Sequence, residues 1–404
     1  MAEKRGYSRR AFLLLSAGGV LTACGRPGGT GPSAADDTLP TIPPEKIIRR
    51  TLGRTGLVVP IVGMGVMNTR DVELLVQSYR LGVRLFDTAP AYGDGDNERL
   101  VGRFLAQTGA RERIVVQSKV LHPVGIGFGR TSEPLSREQV RAAVMEKVDG
   151  SLRRLGTGYV DILLYHAVDS RGRLRDPGVR DALRELKVAG KVRCLGVSTH
   201  NARLVNDIAA EDDLDILMVQ LNVTMADDAR YLADLERAAA AGKGVIVMKT
   251  QGGNRLAPGI MNHRAALKWA LRHEWAAAAV PGFTTAAQLR ENFGAAQDLE
   301  YTPAEREFLA RRGLAADMGF CRLCRQCRGD CPRGVDVPAL VRAHMYACGY
   351  ANPGLARDTL AAVAPGAGPA ACAGCAACVV RCRHGVDIPA DLARLRTALL
   401  MLPW

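Results

Sequence analysis

The sequence has no apolar run long enough to cross a bilayer, no basic stripe interleaved with aromatic residues, and no complete GxGxxG fingerprint. A spanning helix needs about 20 consecutive apolar residues, and the N-terminal run from Ala11 to Ala23 falls short of that. A net charge of +13 over 404 residues would suit a polyanion. The arginines are scattered, however, and neither helix-turn-helix nor zinc-finger spacing occurs, so no nucleic-acid partner is expected. The missing fingerprint weighs against an open, doubly wound sheet that binds a dinucleotide. Gly63-Met64-Gly65-Val66-Met67-Asn68 lacks the third glycine, and Gly125-Ile126-Gly127-Phe128-Gly129 follows no convincing strand. Cysteine is scarce outside two short clusters: of eleven, only Cys24, Cys194 and Cys348 stand elsewhere, which suggests metal ligation more than a disulfide lattice.

The chain opens with an address. Ser8-Arg9-Arg10-Ala11-Phe12-Leu13, leading a short apolar region, resembles the twin-arginine export signal used by proteins that fold before transport. Leu21-Thr22-Ala23-Cys24 resembles a lipoprotein cleavage box. Together they predict removal of residues 1–23 and a lipid anchor on Cys24, which would hold the chain to a membrane on its periplasmic or extracytoplasmic side. Residues 24–46, rich in Gly, Pro and small polar residues, read as a flexible tether. The remainder, in a chain that is 48% hydrophobic, can bury one large core and a second small domain.

From Ile47 a regular alternation sets in. IIRRTLGRTGLVVP reads as two short strands around a Gly-containing turn. Eight apolar, β-branched runs follow: VPIVGMG, VRLFDTA, IVVQSKV, VDILLYHAV, VRCLGVS, ILMVQLNV, GVIVMKT and AAAAVPG. Each precedes a segment of helical spacing, several ending in the glycine favoured just past a helix. The pattern predicts an α/β fold, a (β/α)8 TIM barrel over residues 47–300, with catalytic groups at the C-terminal ends of its strands. That rule selects Asp87 and Tyr92, Lys119, His166, Ser198, Gln220 and Asn222. A phenol is a poor acid near neutrality unless a neighbouring ammonium favours phenolate. Lys119 is read as that ammonium, Asp87 as the group that orients it, and His166 as a hydrogen-bonding partner for a substrate oxygen. Such a set suits proton delivery to a carbonyl as hydride arrives from a cofactor.

LFDTAPAYG, QSKV and LLYHAV, in this order, resemble the aldo/keto reductase family, whose catalytic tetrad is Asp, Tyr, Lys and His. The resemblance implies that Asp87, Tyr92, Lys119 and His166 are catalytic, with Tyr92 as general acid in the reversible reduction of an aldehyde or ketone. It places Ser198 and Gln220 at the nicotinamide carboxamide and Glu291 and Asn292 near the adenine. The family's basic clamp on the NADP 2′-phosphate falls on Gly282 and Gln288, so NAD and NADP both stay open. Where many members stack an aromatic ring on the nicotinamide, this chain has Met248-Lys249.

The cysteine clusters CRLCRQCRGDCP and CAGCAACVVRC share the spacing CxxCxxCxxxC, which is that of bacterial two-cluster ferredoxins. By that pattern Cys321, Cys324 and Cys327 share one [4Fe-4S] cluster with Cys382, and Cys372, Cys375 and Cys378 share the other with Cys331. Zinc and disulfides are the alternatives, though zinc leaves the third evenly spaced cysteine unexplained. GVDVP and GVDIP recur after the two motifs, which suggests a duplicated, α-helical ferredoxin-like domain over 321–404 behind a linker at 301–320. The whole arrangement resembles the iron–sulfur branch of the aldo/keto reductases. The function expected is an exported, lipid-tethered oxidoreductase that interconverts a carbonyl and an alcohol and passes electrons to a redox protein or membrane carrier. Nicotinamide moves two electrons as hydride and each cluster moves one, so a link between them calls for an adapter such as flavin. The alternative is an electron-transfer lipoprotein with a catalytically inactive barrel.

Overall fold

The computed structural model describes residues 42–124, 135–252, 261–311, 320–321, 327, 329–350, 352–361, 363–372, 375 and 378–401. Arg9, Arg10, Cys24 and Cys324 lie outside the described residues. An antiparallel hairpin comes first, β1 (Arg49–Thr51) and β2 (Val58–Pro60), joined through a turn in which Gly56 takes φ +74°. The eight runs read from the sequence form β3 (Met64–Gly65), β4 (Leu85–Asp87), β5 (Val115–Val120), β6 (Val160–Tyr165), β7 (Val192–Thr199), β8 (Ile216–Gln220), β9 (Gly244–Met248) and β10 (Ala276–Ala279). They pair in sequence order, all in parallel. Bridges from Val62 to Ala279 and from Gly65 to Gly282 bring the last strand back to the first. That closure is what an open sheet lacks.

The alternation of side chains along each strand builds two cores. Leu85, Ile162, Leu164, Ile216, Met218 and Ile246 fill the barrel, and Leu52 and Val59 of the hairpin plug its N-terminal end. Outward residues such as Phe86, Val116 and Leu163 pack beneath amphipathic helices, among them Val72–Leu81, Asp96–Thr108 and Arg137–Leu155. Ser136 opens the last of these with a reciprocal capping box with Gln139, which satisfies two otherwise orphaned backbone donors.

A smaller, helical module follows the barrel, and its two halves repeat one local construction. After Cys331 and after Cys382, a left-handed glycine (Gly334 at φ +64°, Gly385 at φ +74°) donates its amide to the cysteine carbonyl. Asp336 and Asp387 then accept from the amides of Ala339 and Ala390, both at 3.1 Å, and start the helices Val337–His344 and Ile388–Met401. The repeated GVD(V/I)P is thus a turn, a cap and a first-turn proline in the order helix initiation favours. Leu340, Val341, Ala356, Val380, Leu392 and Leu395 form the module's own apolar core.

Gly196 on β7 tests the packing of the barrel interior. A methyl group there would meet Ile216 Cβ and Leu164 Cδ2, each at 2.7 Å. Gly196→Ala is expected to cost about 1–3 kcal/mol of stability through overpacking, read as a lowered urea midpoint. An unchanged midpoint would mean that the interior is not packed as described.

Candidate active site

Strand pairing assembles the site. Asp87 ends β4 and lies in register with Gln117 of β5. Gln117 and Lys119, two apart on β5, point into the barrel, and both reach the same carboxylate oxygen. Lys119 Nζ donates to Asp87 Oδ1 at 2.5 Å and Gln117 Nε2 donates to it at 2.6 Å. The Lys119 ammonium also donates to the Thr88 carbonyl at 2.8 Å. The intervening Ser118 points outward and donates to buried Glu98, which in turn accepts from Arg154. A charge pair this buried, with side chains 1% and 5% exposed, survives because each member is hydrogen-bonded.

The loop after β4 carries Tyr92 over this pair. Gly93, Asp94 and Gly95 all take positive φ, and Thr88 and Asn97 brace the loop by a 2.8 Å hydrogen bond, with Asn97 donating onward to the Val66 carbonyl. The Tyr92 ring lies with its centre 4.9 Å from Lys119 Nζ and 6.1 Å from the His166 ring, nearly perpendicular to it at 88°. His166 directly follows β6, and its amide donates to the Val120 carbonyl.

The electrostatics correct one expectation. The Tyr92 hydroxyl is held well above its usual range, by burial first and then by Asp87, Tyr346 and Tyr350, and Arg342 rather than Lys119 works against the rise. The Lys119 ammonium is committed to Asp87, and burial lowers its own pKa despite that partner. Tyr92 is therefore a neutral phenol, a proton donor rather than a phenolate. Burial, then Lys119 and Lys249, push the His166 imidazole down to about 3, so it too is neutral, and its Nδ1 has no internal partner.

A cavity runs from Asp87 and Tyr92 past Met218 and Met248, along Lys249–Gly252, to Gly282, Gln288 and Asn292. Of the residues expected at a nicotinamide cofactor, Asn292 lines it, accepts from the Gln251 amide and donates to the Gln288 carbonyl at 2.8 Å. Gln220 is buried with Oε1 unpartnered, an acceptor suited to a carboxamide. The Ser198 hydroxyl accepts from the Ala167 amide at 2.9 Å. Glu291 faces outward and acts on His263. At Gly282 a side chain would collide with Asn68 Nδ2, so the backbone forms part of the cavity wall. Neither Gln220 nor Ser198 is among the residues that line the cavity, whose mixed apolar and backbone wall has room for an extended ligand such as a nicotinamide nucleotide.

The sequence reading missed the far wall, which comes from the helical module. Gly349 and Tyr350 line the same cavity, and the Tyr350 hydroxyl donates to the Gly252 carbonyl at 3.5 Å. A second cavity on the other side of Tyr92 is bounded by Asn68, Arg70 and Arg103 of the barrel and by Asn352, Leu355 and Asp358 of the module. Asn352 Nδ2 reaches both the Met67 carbonyl and Asn68 Oδ1 at 3.4 Å. No local motif announces this docking, which joins residues nearly three hundred positions apart.

In the module, Cys321, Cys327, Cys331, Cys348, Cys372, Cys378 and Cys382 pack against one apolar core. Burial pushes the Cys372 thiol up, Arg396 opposes the rise, and Cys375, Cys378 and Cys331 add to it. Cys331, from the first motif, thus lies within electrostatic reach of the second. Among the described residues no group of three or more ligating side chains stands ready around a metal ion. Cys331, Cys375 and Cys378 all act on the one Cys372 thiol, and thiols as a donor type suit a soft metal. Cys194, in contrast, is buried in the barrel interior and far from such a set in character.

Residues 64–262 match the model of the Aldo/keto reductase family. The chain is 29% identical to Aldo-keto reductase YhdN of Bacillus subtilis over 38% of its own length and 44% of that protein. It is 29% identical to the NADH-specific methylglyoxal reductase of Escherichia coli over 43% of this chain and 56% of that one. The chain therefore spans about half the length of these relatives. A solved structure from Pseudomonas aeruginosa, described as a candidate aldo-keto reductase, superposes with a TM-score of 0.50 at 28% identity, covering 62% of this chain and 94% of that one. Barrel, site and comparisons agree on an oxidoreductase of aldo/keto reductase type.

The neutral state of His166 has a consequence for stability. The unfolded imidazole, near 6.5, takes up a proton that the native one refuses until about 3. Stability is therefore lost as pH falls through that window, by about 2 kcal/mol at pH 5 from this residue. Urea titrations at pH 7 and pH 5 should show a loss in the wild type that His166→Gln reduces by about that amount. Equal losses in both proteins would contradict the neutral assignment.

Proposed function

We propose that this chain reduces a small aldehyde or ketone to an alcohol, reversibly, with Tyr92 as the proton donor. The observation that carries the reading is the packing of Tyr92 against His166 at 6.1 Å and Lys119 at 4.9 Å, with Asp87 behind the lysine at 2.5 Å. Neutral Tyr92 holds a proton for the carbonyl oxygen, and neutral His166 orients that oxygen by a hydrogen bond. The Lys119 ammonium faces the phenol ring, 4.9 Å from its centre, and Arg342 is the cation whose field favours the phenolate as the proton leaves. Asp87 keeps Lys119 charged and immobile. A nicotinamide nucleotide, when bound, supplies the hydride; Ser198, Gln220 and Asn292 are the residues that would hold it.

The same reading assigns Cys321, Cys324, Cys327 and Cys382 to one [4Fe-4S] cluster and Cys372, Cys375, Cys378 and Cys331 to the other, which together give the module an electron-transfer role toward a redox protein or membrane carrier. The spacing of the two motifs and the closeness of Cys331 to the second support it. Arg9, Arg10 and Cys24 support export of the folded chain by the twin-arginine route and lipid anchoring at the membrane. Among the described residues, no helix is long and apolar enough to cross a membrane.

Tyr92→Phe should lower carbonyl turnover by about 10²–10⁴-fold, the usual contribution of a positioned acid, with iron content unaltered. Turnover that survives this change would remove Tyr92 from the role. Anaerobically purified protein should carry about eight irons per chain, the content of two four-iron clusters. Cys331→Ser should lose about half of them. Zinc in place of iron, or a Cys331→Ser protein with full iron content, would contradict the ligand assignment.

A further inference from the structure

Tyr92 stands between two cavities. Their walls share Met67, Asn68 and Tyr92 and otherwise differ. The first runs from the phenol along Lys249–Gly252 to Asn292 and has room for a nicotinamide nucleotide. The second opens between the barrel and the module's helix Pro353–Ala361 and has a volume of about 310 Å³. Small-molecule sites run from about 300 to 1,000 Å³, so it can hold a compact ligand. With a nucleotide in the first cavity, the second is the side from which a carbonyl compound can reach Tyr92.

The wall of the second cavity is largely polar and carries both signs of charge. Arg70 and Arg103 border it from the barrel and Asp358 from the module. Among the described residues none of the three makes an ion pair or a side-chain hydrogen bond. One exposed charge without a partner is ordinary on a protein surface. Three around one small cavity beside the phenol leave both donors and acceptors for a ligand. Asp96, the other acid on this wall, is taken up by Arg99 at 2.9 Å. Asn352 spends its Oδ1 on the Leu355 amide at 3.0 Å, but its Nδ2 makes only the two 3.4 Å contacts to the barrel, so a ligand oxygen at ordinary distance would compete with them. Arg70 lies against the module's backbone: a Cβ on Gly354 would stand 2.6 Å from its Nη2. An anion here would meet Asp358, and a cation would meet both arginines. Hydroxyls, which donate and accept, suit both walls.

We propose that the second cavity is the substrate site and that it selects a polyhydroxylated aldehyde or ketone, with the carbonyl at Tyr92 and the hydroxyls between Arg70 and Arg103 on one wall and Asp358 and Asn352 on the other. The proposal rests on the reductase reading above. The charged side chains make charge-assisted hydrogen bonds to the hydroxyls and set specificity; they move no proton in the reaction. An apolar aldehyde of the same size would displace water from these groups and return no hydrogen bond. Because Asn352 and Asp358 belong to the helical module, the module becomes part of the barrel's specificity.

The test uses the full chain, purified anaerobically, with NADPH or NADH and two aldehydes on one three-carbon skeleton: glyceraldehyde and propanal. Glyceraldehyde should be preferred by about tenfold or more in kcat/KM, and in Arg70→Leu and Asp358→Leu the ratio should fall to within about twofold. Gly354→Ala, which crowds only the tip of Arg70, should lower the ratio while propanal turnover stays as it was. Erythritol, a polyol with no carbonyl, is followed in parallel on the same proteins by saturation-transfer NMR. A signal in the wild type that both leucine variants lose supports the hydroxyl site even if neither aldehyde turns over, an outcome that would remove the reductase reading alone. No erythritol signal, or one that both variants keep, overturns the site. Turnover of the two aldehydes at equal kcat/KM overturns its assignment to the substrate. A preference for glyceraldehyde 3-phosphate over glyceraldehyde that Arg70→Leu abolishes would assign the arginines to an anion and overturn the selection of neutral hydroxyls.

Discussion

The buried pair between Lys119 and Asp87 is the constraint on which the candidate site depends. Neither charge is tolerable alone in the barrel interior, and the pair holds together because Gln117 and the Thr88 carbonyl complete its hydrogen bonding. It locks the end of β4 to β5, which fixes where the loop carrying Tyr92 begins. It also spends the ammonium's charge. Tyr92 and His166 both rest neutral, by burial first and then by Asp87 at the phenol and Lys119 at the imidazole.

The second organising feature is the seam. The helix Val337–His344 runs into a wider π turn at Met345–Gly349, and this turn presents Tyr346 and Tyr350 to the barrel mouth. Gly349, Tyr350, Asn352 and Leu355 then bound the two cavities that flank Tyr92. The C-terminal module therefore walls the barrel's cavities. Any motion of the module would alter access to Tyr92 and the surroundings of Lys249 together.

Much of this was legible in the sequence because it is carried by local patterns. Eight β-branched runs spaced by helical segments specify a closed barrel, and the strand-end rule selects Asp87, Lys119 and His166 because their register follows from strand pairing. The repeated GVDVP and GVDIP are legible for the same reason, since turn, cap and helix start are neighbours in sequence. Two things were not legible. The sign of the Tyr92 shift depends on burial and on Asp87, Tyr346 and Tyr350, three groups whose net effect no spacing reveals. The surroundings of Tyr350 and Arg342 depend on docking between distant segments, where an apolar helix pattern shows which face is buried but not what it meets. Lys249 was visible as a departure from the family's aromatic residue, but its place opposite Tyr350 was not.

Hydrogen exchange on the full chain, with and without NADPH or NADH, tests most directly the claim that one groove is built from both modules. Amides at Gly65–Asn68, at Lys249–Gly252 and at Gly349–Tyr350 line one cavity. They should gain protection together when the nucleotide binds. Protection confined to the two barrel segments, with Gly349 and Tyr350 unchanged at saturation, would contradict the shared groove and leave the module outside the site.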